Sequence, residues 1–112
     1  MRTRAFVRAI PQSPMTVAFE EAGEPFAYGA VANISEGGAS VWTSIEFCAG
    51  RELTVRLSGA RLSQPLEVPA VVVWGGEDQT RGTARIHRYG LRWVEPTSAC
   101  RSGIRRLLSL SY

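Results

Sequence analysis

The chain has 112 residues, 45% of them apolar and 21% charged, enough for one domain with a single core and too few for two. No apolar run approaches the roughly 18 residues that a membrane span needs. The opening "MRTRAFVRAIPQ" also lacks a hydrophobic stretch of signal-peptide length, so a cytoplasmic protein without membrane insertion is expected. The formal net charge is only +3, yet all thirteen basic residues are arginine and none is lysine. Guanidinium grips phosphate through two parallel hydrogen bonds and stacks on flat rings, which suits a nucleotide-like anion. Cys48 and Cys100 are too few for a disulfide framework and match no metal-ligand spacing, so both are expected as reduced, buried thiols.

Residues 1–14 form an arginine-bearing arm. Arg2, Arg4 and Arg8 precede Pro11 and Pro14, which stop helix from propagating and lead into the first strand. "MTVAFEEAG" then alternates Met15, Val17 and Phe19 with smaller or polar neighbours up to Gly23, the period-two signature of a half-buried strand. "FAYGAVANIS" and "ASVWTSIEF" follow as strands separated by a glycine pair. In "ELTVRLSGA", Leu53, Val55 and Leu57 face a core while Thr54, Arg56 and Ser58 face water. "LEVPAVVVWGG" and "TARIHRYGLRWVE" complete the set, with "GGEDQTRG" read as the loop between them and Asp78 within it.

The period changes only at the C-terminus. Pro96 ends the last strand, and Thr97 or Ser98 caps a helix through "ACRSGIRRLLSLSY" with Cys100, Ile104, Leu107 and Leu108 on one side. Gly103 weakens that helix by about 1 kcal/mol relative to Ala, so packing on the barrel has to hold it. The predicted architecture is a small six-stranded antiparallel, split β-barrel over residues 15–96. It carries a C-terminal helix over 97–112 and a flexible N-terminal arm over 1–14.

Catalytic constellations are missing. His87, the single histidine, falls on a predicted strand with no Cys, His or carboxylate cluster around it, and the serines lack a paired base. Phosphate-loop and dinucleotide fingerprints are absent too. The expectation is a binding module with no catalytic residue, metal or cofactor.

Two stretches carry the binding chemistry. In "RAFVR", Arg4 and Arg8 are four residues apart, a spacing that aims both guanidiniums at one target in an extended segment and nearly so in a helix. In "NISEGG", Asn33 offers an amide that donates and accepts, and Ser35 adds a hydroxyl that alternation places on the same face. Gly37 and Gly38 permit backbone angles and a close ligand approach that a Cβ would forbid. By itself, Asn-x-Ser-x-x-Gly also describes a plain turn in which a side chain bonds its own backbone.

An Arg-x-x-x-Arg arm, followed about 25 residues later by [Asp/Asn]-x-Ser-x-x-Gly at a strand end in a small antiparallel barrel, resembles the PilZ domain family. "AVVVW", "GLRW" and the final helix extend the resemblance over nearly the whole chain, as a stand-alone domain. It implies binding of cyclic di-GMP, a bacterial second messenger with two guanines and two bridging phosphates. On that analogy Arg4 and Arg8 contact phosphates and the guanine O6 and N7 edge, and Asn33 and Ser35 hydrogen-bond a guanine for which Gly38 leaves room. Arg2 and Gly37 are auxiliary.

Asn33 stands where the family often has Asp, which alters the hydrogen-bond pattern. Thr3 replaces the additional arginine that accompanies an intercalated ligand dimer in the family, favouring one ligand per site. The position of the arm, with three repelling guanidiniums, predicts a segment that closes on the nucleotide when phosphates neutralise it, and a single domain predicts a signal passed to a separate protein partner. Two other readings stand beside it. One is a PilZ-type interaction module that binds no nucleotide. The other is a single-stranded nucleic-acid binder using Trp42, Trp74, Trp93 and Tyr89, disfavoured because the arginines form no groove-like stripe.

Overall fold

The alternation in the sequence is realised as six strands: β1 (Met15–Glu21), β2 (Glu24–Ile34), β3 (Gly38–Thr43), β4 (Glu52–Gly59), β5 (Leu66–Arg81) and β6 (Ala84–Trp93). One helix, α1 (Ser98–Leu110), follows them. The structure is a computed structural model that describes residues 14–59, 62–81 and 84–110. All strand pairings are antiparallel, in the order β1-β2-β3-β6-β5-β4, and β4 pairs again with β1 to close the barrel. Closure removes the unpaired edges that an open sheet would present.

Inward positions obey the period of two. Val17 and Phe19 of β1, Val55 and Leu57 of β4, Val68 and Val72 of β5 and Val41 of β3 are all buried in one core. Thr54, Arg56 and Ser58 take the alternate positions, with Arg56 exposed and the other two half-buried. The β1–β2 hairpin turns on Ala22 and Gly23, with φ of 52° and 80°, between the paired Glu21 and Glu24. Two central residues with positive φ match the right-handed strand twist.

"GGEDQTRG" is not a loop. β5 runs through Gly75 to Arg81 and pairs with β6, so the backbone of Asp78 lies in a strand opposite His87. Register shifts between Val72 and Trp74 and between Gly75 and Asp78 absorb the glycine pair as bulges. Aromatic rings explain why glycines stand there. A Cβ on Gly75 would lie 3.1 Å from the Tyr89 ring, and one on Gly76 would lie 3.1 Å from the Trp74 ring. Glycine here marks close approach by a neighbouring side chain, not a turn.

Thr97 caps α1. Its Oγ1 accepts from the Cys100 amide at 3.2 Å, and its carbonyl accepts from Arg101 N at 2.9 Å. Ile104 and Leu107 are buried in the barrel core, with Cys100 and Leu108 packed against it. Neither cysteine is fully buried, contrary to expectation: Cys48 is exposed between β3 and β4, and Cys100 is half-buried, its Sγ donating to the Glu67 carbonyl at 3.0 Å. Gly103 brings the helix close to β5, since a Cβ there would lie 2.9 Å from a Leu66 methyl. Ile104→Ala leaves a cavity at this seam and should lower stability by about 2–4 kcal/mol in urea unfolding. A change below about 0.5 kcal/mol would contradict the docking of α1 on the core.

Candidate functional site

The end of the barrel where β2 stops and β3 begins carries the "NISEGG" turn. Ile34 is fully buried and anchors the end of β2. A register shift between Val31 and Asn33 interrupts the β2–β3 ladder, and Asn33 sits half-buried opposite Ser40. Ser35 lies one residue beyond the strand, so the alternation that would place it on the face of Asn33 has already ended.

The Ser35 hydroxyl is turned into its own loop. It accepts from the amides of Gly37 and Gly38 and donates to the Gly38 carbonyl, each at 3.2 Å. The Ser35 amide donates to that same carbonyl at 2.8 Å. One hydrogen and two lone pairs are thereby used, which makes Ser35 the staple of the turn. Gly38 also has a structural reason to be glycine. A Cβ on it would collide with the Leu91 carbonyl oxygen on β6, whose carbon would lie only 2.9 Å away.

Trp93, the last residue of β6, holds this turn from the other side. Its amide donates to the Gly37 carbonyl at 3.0 Å and its indole Nε1 donates to the Ser35 carbonyl at 3.1 Å. Glu36 then points to the helix, where its Oε1 accepts from Arg105 Nε at 3.1 Å. Both partners are well exposed, so the pair contributes no more than about 1 kcal/mol. Between turn and helix lies a cleft of about 390 Å³. Glu36, Gly37, Arg92, Arg101 and Arg105 form its polar lining, with Trp93, Pro96 and Ile104 as its apolar one.

Charge is distributed unevenly around the barrel. Arg51 lies 3.6 Å from Glu21, and Arg56 lies 2.7 Å from Glu67 and 3.8 Å from Glu20. The Glu67 hydrogen bond, followed by the negative charges of Glu20 and Glu67, raises the Arg56 pKa above its ordinary value. At the cleft, three arginines meet one carboxylate.

Arg2, Arg4 and Arg8 lie outside the described residues. Within the described residues, Thr16 pairs with Ala30 in the antiparallel β1–β2 ladder, so the first residues of β1 lie toward the end of β2 that carries Asn33. Among the proposed nucleic-acid aromatics, Tyr89 and Trp93 are core residues, with the Tyr89 hydroxyl accepting from the Phe47 amide at 2.8 Å. Trp42 lies half-buried under the Arg88 guanidinium, 5.4 Å from its ring centroid. Trp74 is the more exposed indole, set over Gly90.

The sequence matches the family model described as PilZ domain over residues 2–110. The chain belongs to the PilZ domain family. Solved structures agree at the level of fold. The PilZ domain with c-di-GMP of YcgR from Escherichia coli superposes with a TM-score of 0.70 at 12% identity, covering 97% of this chain and 92% of that one. MrkH of K. pneumonia, in complex with c-di-GMP, gives 0.76 at 14% identity, covering 97% and 52%. Bacillus subtilis MotI, an inhibitor of motility, gives 0.67 at 20% identity, covering 97% and 53%. This chain thus spans about half the length of the MrkH and MotI chains. No curated protein matches it. Among the described residues, no helix of this PilZ domain is long and apolar enough to cross a membrane.

Sequence reasoning singled out Asn33, Ser35, Gly37 and Gly38, offered Trp93 only as a stacking ring, and missed Glu36, Arg92, Arg101 and Arg105. The i, i+4 spacing of Arg101 and Arg105 was the available signal for a shared helix face. Gly38→Ala should destabilise the domain by at least about 2 kcal/mol in urea, because a backbone carbonyl has to move. Wild-type stability in that variant would contradict the close approach of β3 and β6.

Proposed function

We propose that this PilZ domain is a receptor and adaptor for cyclic di-GMP, closing its Arg4–Arg8 segment on the nucleotide and signalling to a protein partner. PilZ domains are non-catalytic receptor domains, which fits the lack of a catalytic constellation in the sequence. The observation that carries the reading is the Asn33–Gly38 turn, fixed by Trp93 at the end of β2 toward which the first residues of β1 lie. Asn33 is the amide that reads a guanine edge, while Arg4 and Arg8 supply bidentate donors to phosphate and to guanine O6 and N7. Arg2 is an auxiliary phosphate contact. Ser35 and Gly38 act by shaping the turn, and Gly37 lines the cleft with its own backbone groups bonded to Ser35 and Trp93.

Closure follows from charge. Guanidiniums close together repel one another until the bridging phosphates neutralise them, so ligand favours the state in which the segment lies over the barrel. A PilZ-fold interaction module without nucleotide is the second reading. The full engagement of the Ser35 hydroxyl within its own turn favours it.

Calorimetric titration of cyclic di-GMP into wild type, Arg8→Ala and Asn33→Ala, with GTP and a short oligonucleotide as competitors, tests the reading. Wild type should bind at micromolar or tighter affinity, and each variant should lose about tenfold or more. No heat at high nucleotide concentration would favour the interaction module. Oligonucleotide binding with a steep salt slope would favour a nucleic-acid role.

A further inference from the structure

We propose that the cleft between the Glu36–Gly37 turn and α1 is a phosphate-binding site, with Arg92, Arg101 and Arg105 as its donors. Arg92 comes from β6, opposite Gly38, whereas Arg101 and Arg105 lie one helical turn apart on α1. The Glu36–Gly37 turn, the end of β6 and α1 therefore converge on one concavity of about 390 Å³. Among the described residues, Arg105 has Glu36 as ion-pair partner, while the guanidiniums of Arg92 and Arg101 have no hydrogen-bond or ion-pair partner.

Like charges gathered over an apolar lining of Trp93, Pro96 and Ile104 repel one another and draw in an anion. Arginine selects the class of anion. Planar forks approaching from two elements match the several acceptor oxygens of a phosphate better than the two of a carboxylate. Glu36 opposes this ligand. Its carboxylate shares the cleft and already occupies Arg105, so an incoming phosphate has to compete for that guanidinium. Because Glu36 belongs to the Asn33–Gly38 turn and Arg105 to the helix, occupancy of the cleft changes the contact joining turn to helix. The phosphate has two sources, a free phosphate or the phosphodiester of a nucleotide held at the turn.

The test is a backbone and indole 15N NMR titration of the full chain, following Gly37 N–H and Trp93 Nε1–H. Inorganic phosphate, pyrophosphate and cyclic di-GMP serve as probes, with acetate at matched ionic strength as control. At least one phosphate probe should give saturable shifts at both groups, and acetate should give none. Arg101→Ala and Arg105→Ala should each weaken the response about tenfold. Glu36→Gln should strengthen it several-fold. The latter variant separates a charge effect from a structural one, since the amide keeps the side chain's size. Shifts from inorganic phosphate that survive in Arg8→Ala identify a free phosphate, and shifts from cyclic di-GMP alone, lost in Arg8→Ala, identify the nucleotide.

Absence of saturable shifts with all three probes would overturn the site. So would shifts that the Arg101→Ala/Arg105→Ala double variant leaves unchanged, or an equal response to acetate. A response to inorganic phosphate with none to cyclic di-GMP would uphold the cleft and overturn the receptor reading, so the two fail separately.

Discussion

The two hydrogen bonds that Trp93 donates hold the Asn33–Gly38 end of this domain together. Its amide and its indole fix the carbonyls of Gly37 and Ser35, and the buried ring belongs to the barrel core. A surface turn thereby inherits the rigidity of the core. Without that joint, a loop of Ser, Glu and two glycines would keep the freedom that its composition allows. With it, Asn33 has a fixed position, Glu36 reaches the helix, and the cleft has two walls.

Barrel closure makes the joint possible. β3 and β6 approach so closely that Gly38 accommodates the Leu91 carbonyl only by lacking a Cβ. The same approach sets the start of β3 beside the end of β6, where Arg92 and Trp93 lie. Around β1, β4 and β5, two arginines meet three carboxylates, Arg51 with Glu21 and Arg56 with Glu20 and Glu67. At the cleft, three arginines meet one carboxylate. The two groups of side chains thus have opposite charge balance.

The strands and the helix were legible because their signals are local. Val17 and Phe19, or Leu53, Val55 and Leu57, alternate plainly, and Thr97 stands just before a run of helical period. The continuation of β5 was not legible. Glycine ordinarily marks a turn, and only the rings of Tyr89 and Trp74, supplied by the folded sheet, make Gly75 and Gly76 strand residues. The site was half legible. Asn-x-Ser-x-x-Gly is a contiguous string, but the roles of its members depend on partners far along the chain. Ser35 turned inward, Gly38 faced Leu91, and Arg101 and Arg105 joined the turn from the C-terminal helix. Sequence spacing showed that those arginines share a helix face without showing what the face meets.

In the proposed receptor, the arginine segment preceding β1 and the turn after β2 are two halves of one nucleotide site. A crystal structure of the domain with cyclic di-GMP is the decisive test. A guanine edge should lie within hydrogen-bond distance of the Asn33 amide, and phosphate oxygens within hydrogen-bond distance of Arg4 and Arg8. A nucleotide bound elsewhere on the barrel, or one that touches Asn33 while both arginines stay in solvent, would contradict it.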